Sequence, residues 1–439
     1  MSFIDKIFPG RNIKNKNYIY LDNAGATPVS LEVAKKIKEV EGLYANPSSI
    51  FCYGVKTKEK LQEARKSVAN IINSLSSEII WTSTGTESNN MALIGFVTNY
   101  IFNNNGGKID KLNKPKVITS NIEHSSVLEP LLNLKNRGFI ELEYLEADET
   151  GVVRVNDLRD VLQRSGEENI ENIILVSLMY ANNETGSIQK VKEIGRVIEQ
   201  YNQKLNQNNP KVAYHIDACQ AANYLDLDVR KLRCSMMSVN SSKVYGPKGV
   251  AFLYKNKNII LDPIVRGGGQ ESELRSGTEN IQGIVGLAEA LKEAKLKRDD
   301  EIKRLLLIQN YFFENIQKEI KEAVIYTKIN DISRIVDNKN NSINYFNLES
   351  LPNNINIGLP NIGSDEMVIR LDSKGFEVSH KSSCASHEIA EGSHVIFSMT
   401  KNKQASNENI RISMGRYTKL EDIVNLIRNI KEIYYKYKR

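Results

Sequence analysis

The chain has 439 residues, more than one small core needs, with 41% hydrophobic and 26% charged residues. Lysine and arginine number 59 against 53 aspartates and glutamates, a net charge of +6, and the basic residues are scattered among acidic ones rather than gathered in a run. That balance excludes a nucleic-acid-binding patch, and the lack of a long apolar run excludes a membrane span. The N-terminus, MSFIDKIFPGRNIKNKNYIY, has neither a signal-peptide core nor the composition of a transit peptide, so a cytoplasmic location is expected. The only cysteines, Cys52, Cys219, Cys234 and Cys384, show no paired spacing, which argues for a reducing compartment and against a disulfide framework.

From about residue 60 to 255 strand-like and helix-like stretches alternate, the pattern of a parallel α/β sheet. The apolar run Ile79–Trp81 leads through TSTGTESNN (82–90) into a helical stretch, and the free amides at such a helix start suit a phosphate. VITS and then NIEHSSVLEP (121–130) repeat the plan, with His124 just past the strand and Ser125 or Ser126 as helix cap. IILVSLMY runs into LMYANNETGSIQ (178–189) in the same way, with Asn183 at the strand's carboxyl end. HIDACQ (215–220) places Asp217 in an apolar strand, and SSKVYGPKG (241–249) opens with Lys243 ahead of a glycine-proline turn. Ligands of open parallel sheets bind beyond the carboxyl ends of the strands, where all these polar groups fall. A lysine that forms a Schiff base and a carboxylate that keeps a pyridine nitrogen protonated are the two groups a pyridoxal phosphate site needs, and Lys243 and Asp217 are candidates for them. His215 reads as a packed strand histidine.

A helical run over roughly 279–322 follows, then the strand NINIGL, the helix DEMVIRLDSKG, a cysteine-bearing segment, the strand IRIS and a terminal helix over 418–437. Asparagine-rich stretches at 102–113, 202–210 and 329–347 read as surface insertions. His380, Cys384, His387 and His394 cluster in sequence but lack the closely paired ligands of a metal site, so no metal is expected. Cys384 lies in a polar segment where a thiolate is reachable, and Lys381 and His380 favour its charged form.

With these segments in order, YLDNAGATP (20–28), NPSS (46–49), TESNN, EHSSVLEP, ANNETG, HIDACQ, KVYGPKG, GGGQE (267–271), RSGTEN (275–280), LPNNINI (351–357), VSHKSSCAS (378–386) and IRISMGR (410–416), the chain resembles the cysteine desulfurases and selenocysteine lyases, class V members of the fold-type I pyridoxal phosphate enzymes, over nearly its whole length. The resemblance implies a large domain over 21–285 with a mostly parallel seven-stranded sheet. It also implies a smaller α/β domain from 1–20 and 286–439 that carries the cysteine loop. It further implies a homodimer acting on L-cysteine and passing sulfur to an acceptor or scaffold protein.

By the same resemblance Lys243 bonds the cofactor and His124 stacks on its ring and carries protons. Asp217 pairs with the ring nitrogen and Gln220 with the ring hydroxyl. Gly85 and Thr86 lie at the phosphate, with Thr278 reaching the phosphate of the neighbouring subunit. Asn183 and Arg411 hold the substrate carboxylate, and Cys384 takes the sulfur. The family pattern has a serine and a histidine where this chain has Asn240 and Ser242, so a charge-assisted phosphate contact is lost and weaker cofactor retention is expected. Thr84, Phe51 and Lys381 depart from it as well. Alternatives to a desulfurase are a selenocysteine lyase, which differs by one substrate atom, and a catalytically weakened scaffold of the same fold.

Overall fold

The computed structural model describes residues 18–105, 114–167, 172–206, 210–337, 342–380 and 392–438. Its centre is a seven-stranded sheet in the order β2-β8-β7-β6-β5-β3-β4. The strands are β2 (Ile79–Thr82), β3 (Lys116–Ser120), β4 (Glu141–Leu145), β5 (Ile173–Met179), β6 (Ala213–Asp217), β7 (Met236–Asn240) and β8 (Ala251–Lys255). From β7 through β6, β5 and β3 to β4 every pairing is parallel; β8 alone runs antiparallel, against both β2 and β7.

Both faces of this sheet are covered, which is why its inner strands read as unbroken apolar runs. Alternation sends Ile79, Trp81 and Ile118 into one core and Ile80 and Val117 into another. On the second face lie α3 (Gly85–Asn105), which brings Met91, Leu93 and Val97, and α4 (Ser125–Asn136), which brings Val127 and Leu131. On the first face α6 (Val191–Lys204) contributes Ile194 and Ile198; α5 (Val155–Glu167), with Leu158 and Leu162, joins the same core. So do α1 (Leu31–Glu39) and α2 (Cys52–Ile72), which pack against the long helix α7 (Ile281–Glu319).

Beyond α7 the chain builds a three-stranded antiparallel sheet from β9 (Val324–Ile325), β12 (Asn354–Gly358) and β14 (Asn409–Ser413), with β12 in the middle. Helix α8 (Ser364–Ser373) packs on β14, α10 (Leu420–Tyr437) packs on α8 and α7, and the short helix α9 (His394–Thr400) lies between α8 and α10 in sequence. The N-terminal strand β1 (Ile19–Tyr20) pairs in parallel with β13 (Phe376–Glu377), which brings residues 21–27 back to the main sheet.

The stretch 329–347, read as a surface insertion, holds a short helix, Ile332–Ile335, and the antiparallel pair β10 (Val336–Asp337) and β11 (Ser342–Ile343). One expectation is corrected: the ANNETG segment does not open a helix. Asn182 Oδ1 accepts from the amides of Glu184 and Thr185, which turns the chain, and α6 starts only at Val191.

Candidate active site

Asp217 ends β6 and is 8% exposed. Its carboxylate accepts from Asn89 Nδ2 at 2.8 Å and from the Cys219 amide at 3.0 Å. Asn89, fully buried on α3, also reaches Ser126 Oγ at 2.9 Å. His124 follows β3 and caps α4 itself, in place of Ser125 or Ser126, because its Nδ1 accepts the Ser126 amide at 3.1 Å. Burial, with the Lys243 charge nearby, pushes the imidazole below the ordinary histidine value, so it stays neutral and able to accept. Next to it, Glu123 is fully buried. Burial raises its carboxyl to about 8, although Oε1 accepts from Ser120 Oγ at 2.5 Å and the Met179 amide at 3.0 Å.

Lys243 closes the turn after β7, and its ammonium donates to the carbonyls of Ala24, at 2.8 Å, and Gly25. Gln220 Nε2 donates to the same Ala24 carbonyl at 2.9 Å. The turn after β1 is therefore the meeting point of two expected site residues. It meets a third: Asp22 Oδ1 accepts from Arg411 Nη2 at 2.6 Å. Arg411 lies on β14, is 1% exposed, and gives Nη1 to the Asn183 carbonyl at 3.1 Å. Its Nε is buried without a partner.

At the start of α3, Gly85 leaves no room for a side chain: a Cβ there would stand 2.7 Å from Cys219 Sγ. Thr86 is exposed in the first turn. Asn240 and Ser242 bond to each other, since Asn240 Oδ1 accepts both the amide and the hydroxyl of Ser242 at 3.3 Å. Thr278 is exposed, on a loop tied to α3 by Arg275 Nε on Glu87 Oε1 at 2.9 Å.

Cys384, Lys381 and His387 lie outside the described residues. His380 faces Asp365 at 3.3 Å, and His394 bonds the Glu123 carbonyl at 3.0 Å. His215 is the packed strand histidine expected, fully buried between Ser177 and Ser238, with burial driving its pKa down to about 4.

Asn89 and Asp22 were not singled out from sequence, although each sits in a segment that carries the resemblance. The signal for Asn89 is weak, a polar residue inside an apolar helix. For Asp22 there was none, because its partner is 389 positions away.

Chemically, the arrangement suits a flat cationic heterocycle bearing an aldehyde. Asp217 is a buried carboxylate with only neutral donors on it, and among the described residues no cation pairs with it. The Lys243 charge acts on the protonation of His124 and Cys219, and Nε of the buried Arg411 guanidinium has no partner among the described residues.

The class V aminotransferase family model matches residues 19–426. The cysteine desulfurase IscS of Dictyoglomus turgidum is 34% identical over 409 residues, covering 93% of this chain and 92% of that protein. IscS 1 of Archaeoglobus fulgidus is 32% identical over 409 residues, covering 93% and 94%. Among solved structures, a NifS-like protein superposes with a TM-score of 0.80 at 28% identity, over 96% of this chain and all of that one. A second, from Rickettsia africae, gives 0.76 at 25% identity, over 95% of this chain and all of that one. The chain belongs to the class V aminotransferase family, in its cysteine desulfurase branch.

Proposed function

We propose that this protein is a pyridoxal-phosphate-dependent cysteine desulfurase, converting L-cysteine to L-alanine and receiving the sulfur on Cys384. The observation that carries the reading is the convergence of Asp217, His124, Gln220 and Lys243 on the carboxyl edge of one sheet, with Arg411 brought to the same turn by Asp22.

When bound, pyridoxal phosphate supplies an electron sink for charge developing at the amino acid's Cα. Lys243 would bond it and move the Cα proton, and Asp217 would keep its ring nitrogen protonated. Gln220 would serve its ring hydroxyl. Gly85, Thr86, Asn240 and Ser242 would hold its phosphate, and Thr278 would serve the phosphate of a second copy. Arg411 and Asn183 orient the substrate carboxylate, Arg411 through a planar fork that lysine lacks. The Cys384 thiolate attacks the substrate sulfur. The electron pair of the Cβ–S bond stays with Cβ, which takes a proton, and the sulfur leaves as a persulfide on Cys384. His124, kept neutral by burial, is suited to pass that proton.

By the same reading the protein is a cytoplasmic homodimer that hands sulfur to an acceptor protein. It divides into a large domain over 21–285 and a smaller one from 1–20 and 286–439. Exposed Thr278, and the exposed apolar Tyr44 and Ile50 at 82% and 96% exposure, are consistent with burial against a second copy. The test is to measure L-alanine and sulfide from L-cysteine, beside the selenium release from L-selenocysteine. Equal yields of alanine and sulfur from cysteine are expected, and a protein that takes up no pyridoxal phosphate, or makes no alanine, overturns the reading.

A further inference from the structure

Arg411 already has a carboxylate partner. Its Nη2 is held by Asp22 Oδ1 at 2.6 Å and its Nη1 by the Asn183 carbonyl at 3.1 Å, while Nε is buried and unbonded. A guanidinium receives a carboxylate best through two adjacent N–H groups. With Nη2 engaged, the edge it shares with Nε is one hydrogen bond short of that arrangement.

Asp22 does not drift into this contact. Asn23 Nδ2 and the Ala24 amide bond Ser413, two residues along Arg411's own strand, each at 2.9 Å. Tyr20 donates to the Asp22 carbonyl at 2.9 Å. Gly25 lies close alongside: a Cβ there would stand 2.3 Å from Asp22 Oδ2, so a side chain at 25 would displace this carboxylate. The carboxylate is thus bolted beside the cation, and among the described residues it is the one acid in ion-pair range of Arg411.

We propose that Asp22 is a positioning residue for the amino-acid carboxylate: the resident counter-ion of Arg411, which holds the guanidinium in place when no amino acid is bound and competes with the carboxylate of substrate and product. The inference rests on the reading of Arg411 as the carboxylate-binding residue. A cation this deeply buried needs a counter-charge. Once an amino acid binds, two carboxylates share one guanidinium that is itself buried, and they repel each other. L-Cysteine and L-alanine carry the same carboxylate, so Asp22 loosens both. It sets a limit on affinity and returns Arg411 to its resting contact as the product leaves.

The experiment uses Asp22→Asn, which keeps an oxygen for Nη2 and removes the charge. L-Alanine and L-alaninamide binding to the cofactor-loaded protein is measured by calorimetry, with kcat and KM for L-cysteine and the melting temperature of the cofactor-free protein. L-Alanine is expected to bind about tenfold tighter to the variant, with the alaninamide affinity unchanged, because only the carboxylate meets Asp22. KM for cysteine falls by a similar factor with kcat within about twofold. The cofactor-free variant melts lower, as Arg411 loses its counter-charge. Unchanged or weaker alanine binding, or a parallel change for alanine and its amide, overturns the proposal. Should Asp22→Asn not fold, Asp22→Ser gives the same expected direction with a shorter acceptor. If the wild-type protein makes no sulfide from cysteine, the desulfurase reading fails, and the comparison of alanine with its amide still decides the role of Asp22.

Discussion

The two ends of the site are built differently. At the end proposed to hold the cofactor ring, Asp217, His124 and Asn89 sit on or just beyond strands and helices of the main sheet, and the Asp217 carboxylate is surrounded by neutral donors. At the end proposed to hold the substrate carboxylate, Arg411 comes from β14, Asp22 from the turn after β1, and Asn183 from the turn after β5, and the central contact is between opposite charges. Sheet order sets the first arrangement, so a substitution there changes chemistry more than position. The second depends on charge balance between distant parts of the chain, so a substitution changes affinity.

The largest effect expected at the ring end is that of Lys243→Ala, which lowers alanine formation by roughly 10⁴-fold. Borohydride then no longer fixes the cofactor to the chain. Covalent fixation surviving in the variant would move the role to another amine, Lys248 first. Cys384→Ser is expected to bring sulfide release to background while L-alanine affinity stays as in the wild type, since a serine hydroxyl is a poor nucleophile toward sulfur. Full sulfide release would remove Cys384 from the mechanism.

A paired experiment sharpens the contrast. Asp217→Ala should lower kcat about a hundredfold with a small change in KM, whereas Arg411→Lys should raise KM about tenfold with kcat much less affected. Identical kinetic signatures in the two variants would show that the ends do not act separately.

Glu123 gives the ring end a pH dependence. Its carboxyl is raised from 4.5 to about 8 in the folded protein, so between those values the unfolded chain is ionised while the folded one holds the proton. Its contribution is therefore full below about pH 4.5 and is lost as pH rises toward 8, on the order of 5 kcal/mol in total. Glu123→Gln, neutral at every pH, should gain melting temperature relative to wild type as pH rises from 5 to 8. A constant difference across that range would mean the carboxyl is ionised in the fold.

The smallest effect is at the phosphate. Ser242→His should slow cofactor loss on dialysis by about fivefold, near 1 kcal/mol. Because Ser242 and Asn240 already bond each other, the gain requires that pair to open. Faster loss would mean the pair is itself part of the site.

Much of this protein could be read along the chain. Strand-then-turn segments with Asp217, His124, Asn183 and Lys243 at their ends were legible because a buried parallel strand shows as an apolar run and its ligand groups follow at once. The long helix, expected over roughly 279–322, runs from Ile281 to Glu319. Local chemistry was less legible. His124 takes the capping role expected of a serine because its ring nitrogen accepts the Ser126 amide, and ANNETG turns on Asn182 rather than starting a helix. What the tertiary structure alone decided is the meeting of segments with no local signal for each other. Lys243 and Gln220 share the Ala24 carbonyl, Asn89 reaches Asp217 from the neighbouring helix, and Asp22 faces Arg411. The apolar pattern states which strands are buried. It does not state which polar groups from distant turns will share a buried space, because that depends on how the strands are ordered and where the chain's two ends return to them.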